Sequence, residues 1–163
     1  MSSNFISRLA PTPSGYLHFG NAFNFLLTYL LVNFYDGVLH LRIDDLDGPR
    51  VDRACVEDIF IQLEWLCIDY HFGPSGPDDL YSSFSQQLRK DRYFNAIKIL
   101  QKTGHLFACE CSRSKIMNSS ASKIYSGTCR KKNINFLKEN QTWRVIVPEN
   151  TFVCYSTLTN NNK

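Results

Sequence analysis

Hydrophobic and polar positions along the first hundred residues fall into blocks whose period changes. Phe5 to Ala10 is a short apolar-rich run that reads as a strand. It stops at Pro11-Thr12-Pro13-Ser14-Gly15, where two prolines remove backbone donors and a glycine frees the chain, so this stretch is a loop. From about Gly20 to Phe34 the spacing turns helical, with Phe23, Leu26, Leu27, Leu30, Leu31 and Phe34 returning to one face every three or four residues. Asp36-Gly37 ends the helix, and Val38-Leu39-His40-Leu41-Arg42-Ile43 reads as a second strand. A strand, a helix and a strand joined by short turns make a βαβ unit, whose strands are expected to be parallel.

The acidic turn Asp44-Asp45-Leu46-Asp47-Gly48-Pro49-Arg50 leaves the carboxyl end of that strand. A helix follows from Asp52 to about Leu66, carrying Ala54, Val56, Ile59, Phe60, Leu63 and Leu66, and then a short third strand is expected at Cys67 to Phe72. Gly73 to Pro77 is a loop, and Gln86 to Lys102 reads as a helix with Leu88, Tyr93, Ala96, Ile97 and Leu100 inward and Gly104 as its stop. Beyond Gly104 apolar periodicity fades. The segment Leu106 to Thr142 holds clustered cysteines, a Ser-rich stretch from Ser112 to Ser126 and the basic Arg130-Lys131-Lys132. Trp143 to Val147 is a strand candidate, and Thr157 to Lys163 a polar, frayed end. The expected organisation is an α/β unit over 1–104, a small excursion over 105–142, and a return strand with a frayed end over 143–163.

Composition narrows the classes. With 13% aromatic residues among 163, the chain is neither disordered nor collagen-like. Eighteen Lys and Arg against 15 Asp and Glu leave only +3, so any contact with a polynucleotide should be local. The most apolar run, Phe23 to Tyr35, is interrupted by Asn24, Thr28 and Asn33 and falls short of the roughly 20 apolar residues a membrane span needs. Met1 to Phe5 has no basic region and no long apolar stretch, so a secretory signal is not expected. A cytoplasmic location follows, in which the six cysteines (55, 67, 109, 111, 129 and 154) serve as core thiols or metal ligands.

In an open parallel sheet, ligands bind beyond the carboxyl ends of the strands. Two features converge there. His18-Phe19-Gly20-Asn21 opens the first helix, whose N-terminal N–H groups suit a phosphate, with Gly20 permitting close approach and His18 adding a donor. The same His18 and Asn21 could instead simply cap the helix. Asp44, Asp45 and Asp47 could face a cation, a ribose or a substrate ammonium, or form an internal salt-bridge cluster with Arg42 and Arg50. Cys109-Glu110-Cys111 and Cys129 make a C-x-C…C set that reads as a metal site more readily than as chance thiols. Cys55 and Cys67 read as core, and Cys154 has no assigned place.

Arg8-Leu9-Ala10-Pro11-Thr12-Pro13-Ser14-Gly15-Tyr16-Leu17-His18-Phe19-Gly20-Asn21 and Arg42-Ile43-Asp44-Asp45-Leu46-Asp47-Gly48-Pro49-Arg50 resemble, in order and spacing, the glutamyl-tRNA synthetase family of class I aminoacyl-tRNA synthetases. The likeness continues through Gln86-Gln87-Leu88-Arg89 and Tyr125-Ser126-Gly127-Thr128-Cys129-Arg130 to Trp143-Arg144-Val145. Pro13-Ser14-Gly15, Asp47-Gly48-Pro49-Arg50 and the cysteine set look most like the glutamyl-queuosine tRNA(Asp) synthetases, short paralogues without an anticodon-binding domain.

The resemblance implies the N-terminal half of a Rossmann-like nucleotide fold plus a zinc-binding insertion. It implies activation of L-glutamate by ATP with Mg²⁺, then transfer of the glutamyl group to queuosine of tRNA(Asp). By resemblance His18, Gly20 and Asn21 are catalytic, and Pro11, His18, Gly20 and Asn21 bind nucleotide. Arg8, Ala10, Thr12 and Asp44 bind glutamate. Cys109, Cys111, Tyr125 and Cys129 hold Zn²⁺, with Glu110 or His105 as substitutes for the tyrosine. Lys131 stands where zinc-bearing glutamyl-tRNA synthetases tend to have a histidine, Asp44 stands where the family usually has Glu, and Thr12 replaces the more usual Ser. A missing C-terminal half, in cis or in trans, is the expected partner of such a fold. Other readings are a non-catalytic remnant that binds nucleotide or tRNA, and a piece of an ordinary glutamyl-tRNA synthetase.

Overall fold

The computed structural model describes residues 5–119, 125–136, 141–148, 152 and 154. The polar end at 157–163 lies outside them. Strands β1 (Ile6–Leu9) and β2 (Val38–Leu41) pair in parallel, Ile6 opposite Val38 and Leu9 opposite Leu41, with helix α1 (Phe19–Phe34) between them in sequence. The βαβ reading is therefore correct. Backbone pairing runs past both ends of the strands: Val38 N donates to Phe5 O (2.7 Å), Arg42 N to Leu9 O (2.9 Å) and Asp44 N to Pro11 O (2.8 Å).

The third strand shrinks to a single parallel bridge between His40 and Phe72, supported by Leu41 N donating to Phe72 O (2.7 Å) and His71 N to Leu39 O (2.8 Å). Its brevity has a backbone cause. Cys67 (φ 53°) and Gly73 (φ 142°) turn the chain at either end. Gly73 also lies so close to the Leu41 carbonyl that any Cβ there would overlap it.

Two compact units make up the chain, Met1–Arg92 and Tyr93–Lys163. The core of the first gathers Leu9, Leu39, Leu41 and Ile43 from the sheet side and Phe25 and Val32 from α1. Helix α2 (Arg53–Trp65) adds Val56, Ile59 and Leu63, and Leu80 completes it just after the short turn α3 (Pro77–Asp79). A 3₁₀ turn at Gln86–Arg89 precedes α4 (Lys90–Lys102). In the second unit β3 (Leu106–Cys109) pairs antiparallel with β4 (Thr142–Val145), and α5 (Arg113–Ser119) lies between them in sequence.

Four details differ from the sequence reading. The α1 stripe is not the buried face: Phe23 is 60%, Leu30 61% and Phe34 80% exposed, while Phe25 and Val32 are buried. Apolar residues lie on both sides of this helix, and spacing alone cannot choose between two apolar faces. The helix expected from Gln86 begins only at Lys90, and none of its residues is buried, Leu88 and Tyr93 included. Cys67 is exposed, because its positive φ puts it on a turn, whereas Cys55 is buried as expected. Finally, the strand at Trp143 belongs to β4 and pairs with β3; it does not return to the parallel sheet.

The orientation of α1 is testable by chemical denaturation. Phe25→Ala should cost about 3–5 kcal/mol, the usual loss for a buried ring. Leu30→Ala should stay within about 0.5 kcal/mol, as for a surface position.

Candidate active site and metal centre

The Pro11–Asn21 loop is pinned before it delivers His18. Pro11 and Pro13 are buried. Pro13 O accepts from Asp52 N (3.1 Å), and Leu17 N donates to the Asp58 carboxylate on α2 (3.3 Å). His18 is the N-cap of α1: its Nδ1 accepts from Gly20 N (3.1 Å), and the Asn21 side-chain oxygen accepts from His18 N (3.1 Å), a reciprocal capping box. The capping reading of these residues is thus realised, and it does not compete with ligand binding. An Nδ1 that accepts leaves the proton on Nε2, so the ring keeps one donor free of the cap. Gly20 is part of the same device, since a Cβ there would sit 3.0 Å from the imidazole Cε1. A cavity of about 580 Å³ is lined by Arg8, Ala10, Pro11, Thr12, His18 and Asn21, among others. Arg8 also lines a second cavity of about 740 Å³, with His40, Arg42, Phe72 and Arg89.

The acidic turn lies against this loop through the Asp44 N–Pro11 O bond. Its charges are mostly matched within the turn. Asp44 receives Arg42 Nε (2.7 Å) on one carboxylate oxygen and Arg42 Nη2 (3.0 Å) on the other, and Gln86 Nε2 (2.8 Å) joins the first. A carboxylate offers about four acceptor positions, so three bonds leave one open. Asp47 pairs with Arg50. Asp45 is 1% exposed and pairs with no cation among the described residues; Ser85 Oγ and Gln86 N (2.8 Å) donate to its two oxygens. The Gln87 side chain donates to the carbonyls of Asp45 and Leu46. Ser85 to Gln87 therefore hold the acidic turn from outside. The sequence reading named Asp45 only as one carboxylate of the turn and did not identify its buried role, and Ser85 escaped it; the signal was a polar Ser-Gln-Gln run at the start of the expected helix.

In the second unit the Sγ atoms of Cys109, Cys111 and Cys129 lie within 4.8 Å of one another. Cys111 and Cys129 are 3.6 Å apart. Sulfur ligands at about 2.3 Å around a tetrahedral ion stand about 3.8 Å from each other, so the three thiols fit three corners of a zinc site. Tyr125 supplies the nearest oxygen, with its hydroxyl 3.4 Å from Cys109 Sγ and accepting from Cys129 N (2.7 Å). Its ring lies between Arg144, 4.3 Å from the ring centroid, and Phe107, stacked at 6.1 Å. Of the two substitutes, His105 is hydrogen-bonded with Thr103 and Glu110 is exposed.

Burial raises the Cys109 thiol, but hydrogen bonds from Tyr125, Arg144, the Cys111 backbone and Cys129 outweigh it and bring the group down to about 6. Burial and the hydrogen bond to Cys109 push Tyr125 up to about 12, against the Cys129 backbone donor. A cysteine whose pKa is lowered, with two further sulfurs beside it, is a donor set suited to a soft cation.

Residues 5–149 match the family of class I tRNA synthetases (E and Q), catalytic domain. The glutamyl-Q tRNA(Asp) synthetase of Symbiobacterium thermophilum is 37% identical over 134 residues, covering 76% of this chain and 41% of that protein. Glutamate–tRNA ligase 2 of Syntrophus aciditrophicus is 32% identical over 155 residues, covering 87% and 32%. The crystal structure of glutamate-tRNA synthetase from Elizabethkingia anophelis superposes with a TM-score of 0.55 at 27% identity, over 74% of this chain and 24% of that one. The chain thus spans less than half the length of these relatives. With the family match running over nearly all its length, the chain belongs to the class I tRNA synthetases for glutamate and glutamine, within their catalytic domain.

Proposed function

We propose that this chain carries the glutamate- and ATP-binding part of a glutamyl-adenylate-forming enzyme whose acceptor is queuosine of tRNA(Asp). The observation that carries the reading is the Asp44 N–Pro11 O hydrogen bond, which brings the imidazole-bearing loop and the acidic turn to one lip of the sheet. In this reaction the glutamate α-carboxylate attacks the α-phosphorus of ATP, the bond to the β-phosphate oxygen breaks, and pyrophosphate departs. Positioning and charge neutralisation are what such a displacement needs. The Nε2–H of His18 and the N-terminus of α1 meet the phosphates. Arg8, which lines both cavities, takes a substrate carboxylate. Asp44 offers its remaining acceptor position to the substrate ammonium, with Thr12 and the Ala10 backbone beside it. Mg²⁺ accompanies ATP and neutralises phosphate charge. The queuosine preference is supported by relatives of that name and by the Pro13-Ser14-Gly15 and Asp47-Gly48-Pro49-Arg50 forms of the two loops.

Cys109, Cys111, Cys129 and Tyr125 hold a structural Zn²⁺ in this reading. The ion would supply cross-linking to a unit in which, among the described residues, Phe107, Cys109 and Cys129 form a small buried cluster.

Calorimetry with a non-hydrolysable glutamyl-adenylate analogue tests the site without requiring turnover. The chain should bind it, and Asp44→Ala or His18→Ala should each weaken binding by about tenfold or more, the loss expected of a charge-assisted hydrogen bond. Absence of binding by the unaltered chain would overturn the proposal. Given a bound adenylate, glutamate transfer to queuosine-containing but not queuosine-free tRNA(Asp) separates this acceptor from the tRNA 3′ end.

Metal analysis should find one zinc per chain, with Cys129→Ser reducing it. In the chelator-treated chain, the unfolded thiol of Cys109 titrates near 9.0 and the folded one near 6. The unfolded state then holds more protons between those values, so stability should rise from pH 6 to pH 9 and be lost as pH falls through 6. Denaturation midpoints across that range check the sign.

A further inference from the structure

In the antiparallel ladder of the second unit Phe107 stands opposite Arg144, and Cys109 opposite Thr142. Side chains two apart on a strand share a face, so Phe107, Cys109 and Arg144 project to the same side. Arg144 is the one residue of β4 that is not exposed. Its guanidinium carbon lies 4.3 Å from the centroid of the Tyr125 ring, and it donates a hydrogen bond to Cys109. Phe107 stacks on the same tyrosine, with centroids 6.1 Å apart and planes 20° apart. The ring so held brings its hydroxyl to 3.4 Å from Cys109 Sγ and 2.7 Å from Cys129 N.

Two facts point past packing. Arg144 Nε is buried and meets no hydrogen-bond acceptor among the described residues, a costly arrangement unless an anion completes it. The donor set is also electrically unbalanced. Three thiolates and a phenolate around a divalent ion leave a net negative charge, which a partly buried site tolerates only beside a cation. Arg144 is placed for that purpose, touching both Tyr125 and Cys109. Arg130, the other guanidinium of this cluster, lies over the Phe107 ring at 6.0 Å.

We infer that Arg144 is a positioning residue of the metal centre: it holds the Tyr125 ring against the cysteines and offsets the negative charge of the zinc-bound set, so that the tyrosine serves as an anionic fourth ligand. Partners outside the ligands fix the orientation and charge of the ligands themselves, and a phenol that keeps its proton is a poor one. Arginine suits the task better than lysine, because a planar guanidinium can stack on a ring and donate to a sulfur at once. Arg144 has this role only if Cys109, Cys111, Cys129 and Tyr125 hold Zn²⁺ as proposed. Cation–ring contacts also occur as plain packing. The two cases differ in whether loss of Arg144 acts through Tyr125 on the metal.

The full 163-residue chain is stripped with chelator and titrated with Zn²⁺ and with Co²⁺, its spectroscopic stand-in. Competition against a chelating dye reads affinity, and ultraviolet difference spectra read tyrosine ionisation. The loaded chain should show a tyrosinate band that Tyr125→Phe removes. Arg144→Met should weaken metal binding by about tenfold or more and abolish the band. Arg144→Lys, which keeps the charge, should recover part of both. In the Tyr125→Phe background Arg144→Met should cost less than about threefold, because residues that act through one another are not additive. Arg144→Gln gives the same comparisons if the Met variant does not fold. Failure of the unaltered chain to bind either metal removes the zinc reading together with the inference. Metal bound without the tyrosinate band overturns the role of Arg144 alone and leaves the three-cysteine site standing. Equal losses in the two backgrounds, or a Lys variant no better than the uncharged one, do the same.

Discussion

The parallel ladder does not stop where the strands stop. After Leu9 and Leu41 the two chains stay in hydrogen-bonding register for one more step, Arg42 N to Leu9 O and Asp44 N to Pro11 O. Pro11 has no N–H, so it can take part only as an acceptor, and its carbonyl is the one group it has to give. Two loops of quite different character are thereby fixed side by side: one that leads into the N-terminus of α1, and one that carries three carboxylates. Without that backbone bond the distance between His18 and Asp44 would depend on the flexibility of two surface loops. With it, the starts of the two loops are fixed by the register of the sheet.

Three carboxylates in one short turn repel one another unless each is matched. The turn meets this residue by residue. Asp44 is gripped by both arms of Arg42, and Asp47 pairs with Arg50. Asp45 is buried and pairs with no cation among the described residues, a costly state for a carboxylate, and it is met by donors from Ser85 and Gln86. Removing those donors would leave a buried charge unsatisfied, which costs more than the bonds themselves contribute. Asp45 is thus the anchor through which the 85–87 segment holds Asp44 in place, and Gln86 closes the circuit by donating to both carboxylates, by its backbone to Asp45 and by its side chain to Asp44.

Much of this was legible in the sequence because it is local. The loop–helix boundary at His18, the parallel strands, the Asp52 start of α2 and the Cys-x-Cys…Cys set all follow from neighbours within a few residues. What was not legible depended on partners far along the chain. The buried side of α1 is chosen by what the sheet and α2 present to it, and the helix itself has apolar residues on both sides. β3 is buried at all four positions, so it shows no alternation to mark it as a strand. The roles of Asp45 and Ser85 come from a contact spanning 40 residues, which no window of local periodicity can register.

The two-sided apolarity of α1 and the chemistry of its first turn are linked. Its 16 residues include no charged side chain, so none of them offsets the helix's own dipole. The positive end at Phe19–Asn21 has no acidic residue in its own first turn; the His18–Asn21 box satisfies Gly20 N and His18 N, and the Asp58 carboxylate takes Leu17 N just before the cap. That box is neutral while Nδ1 accepts, which keeps the helix end available to an anion and orients the imidazole donor toward solvent or ligand. An uncharged helix thus keeps at its N-terminus the positive partial charge of its dipole.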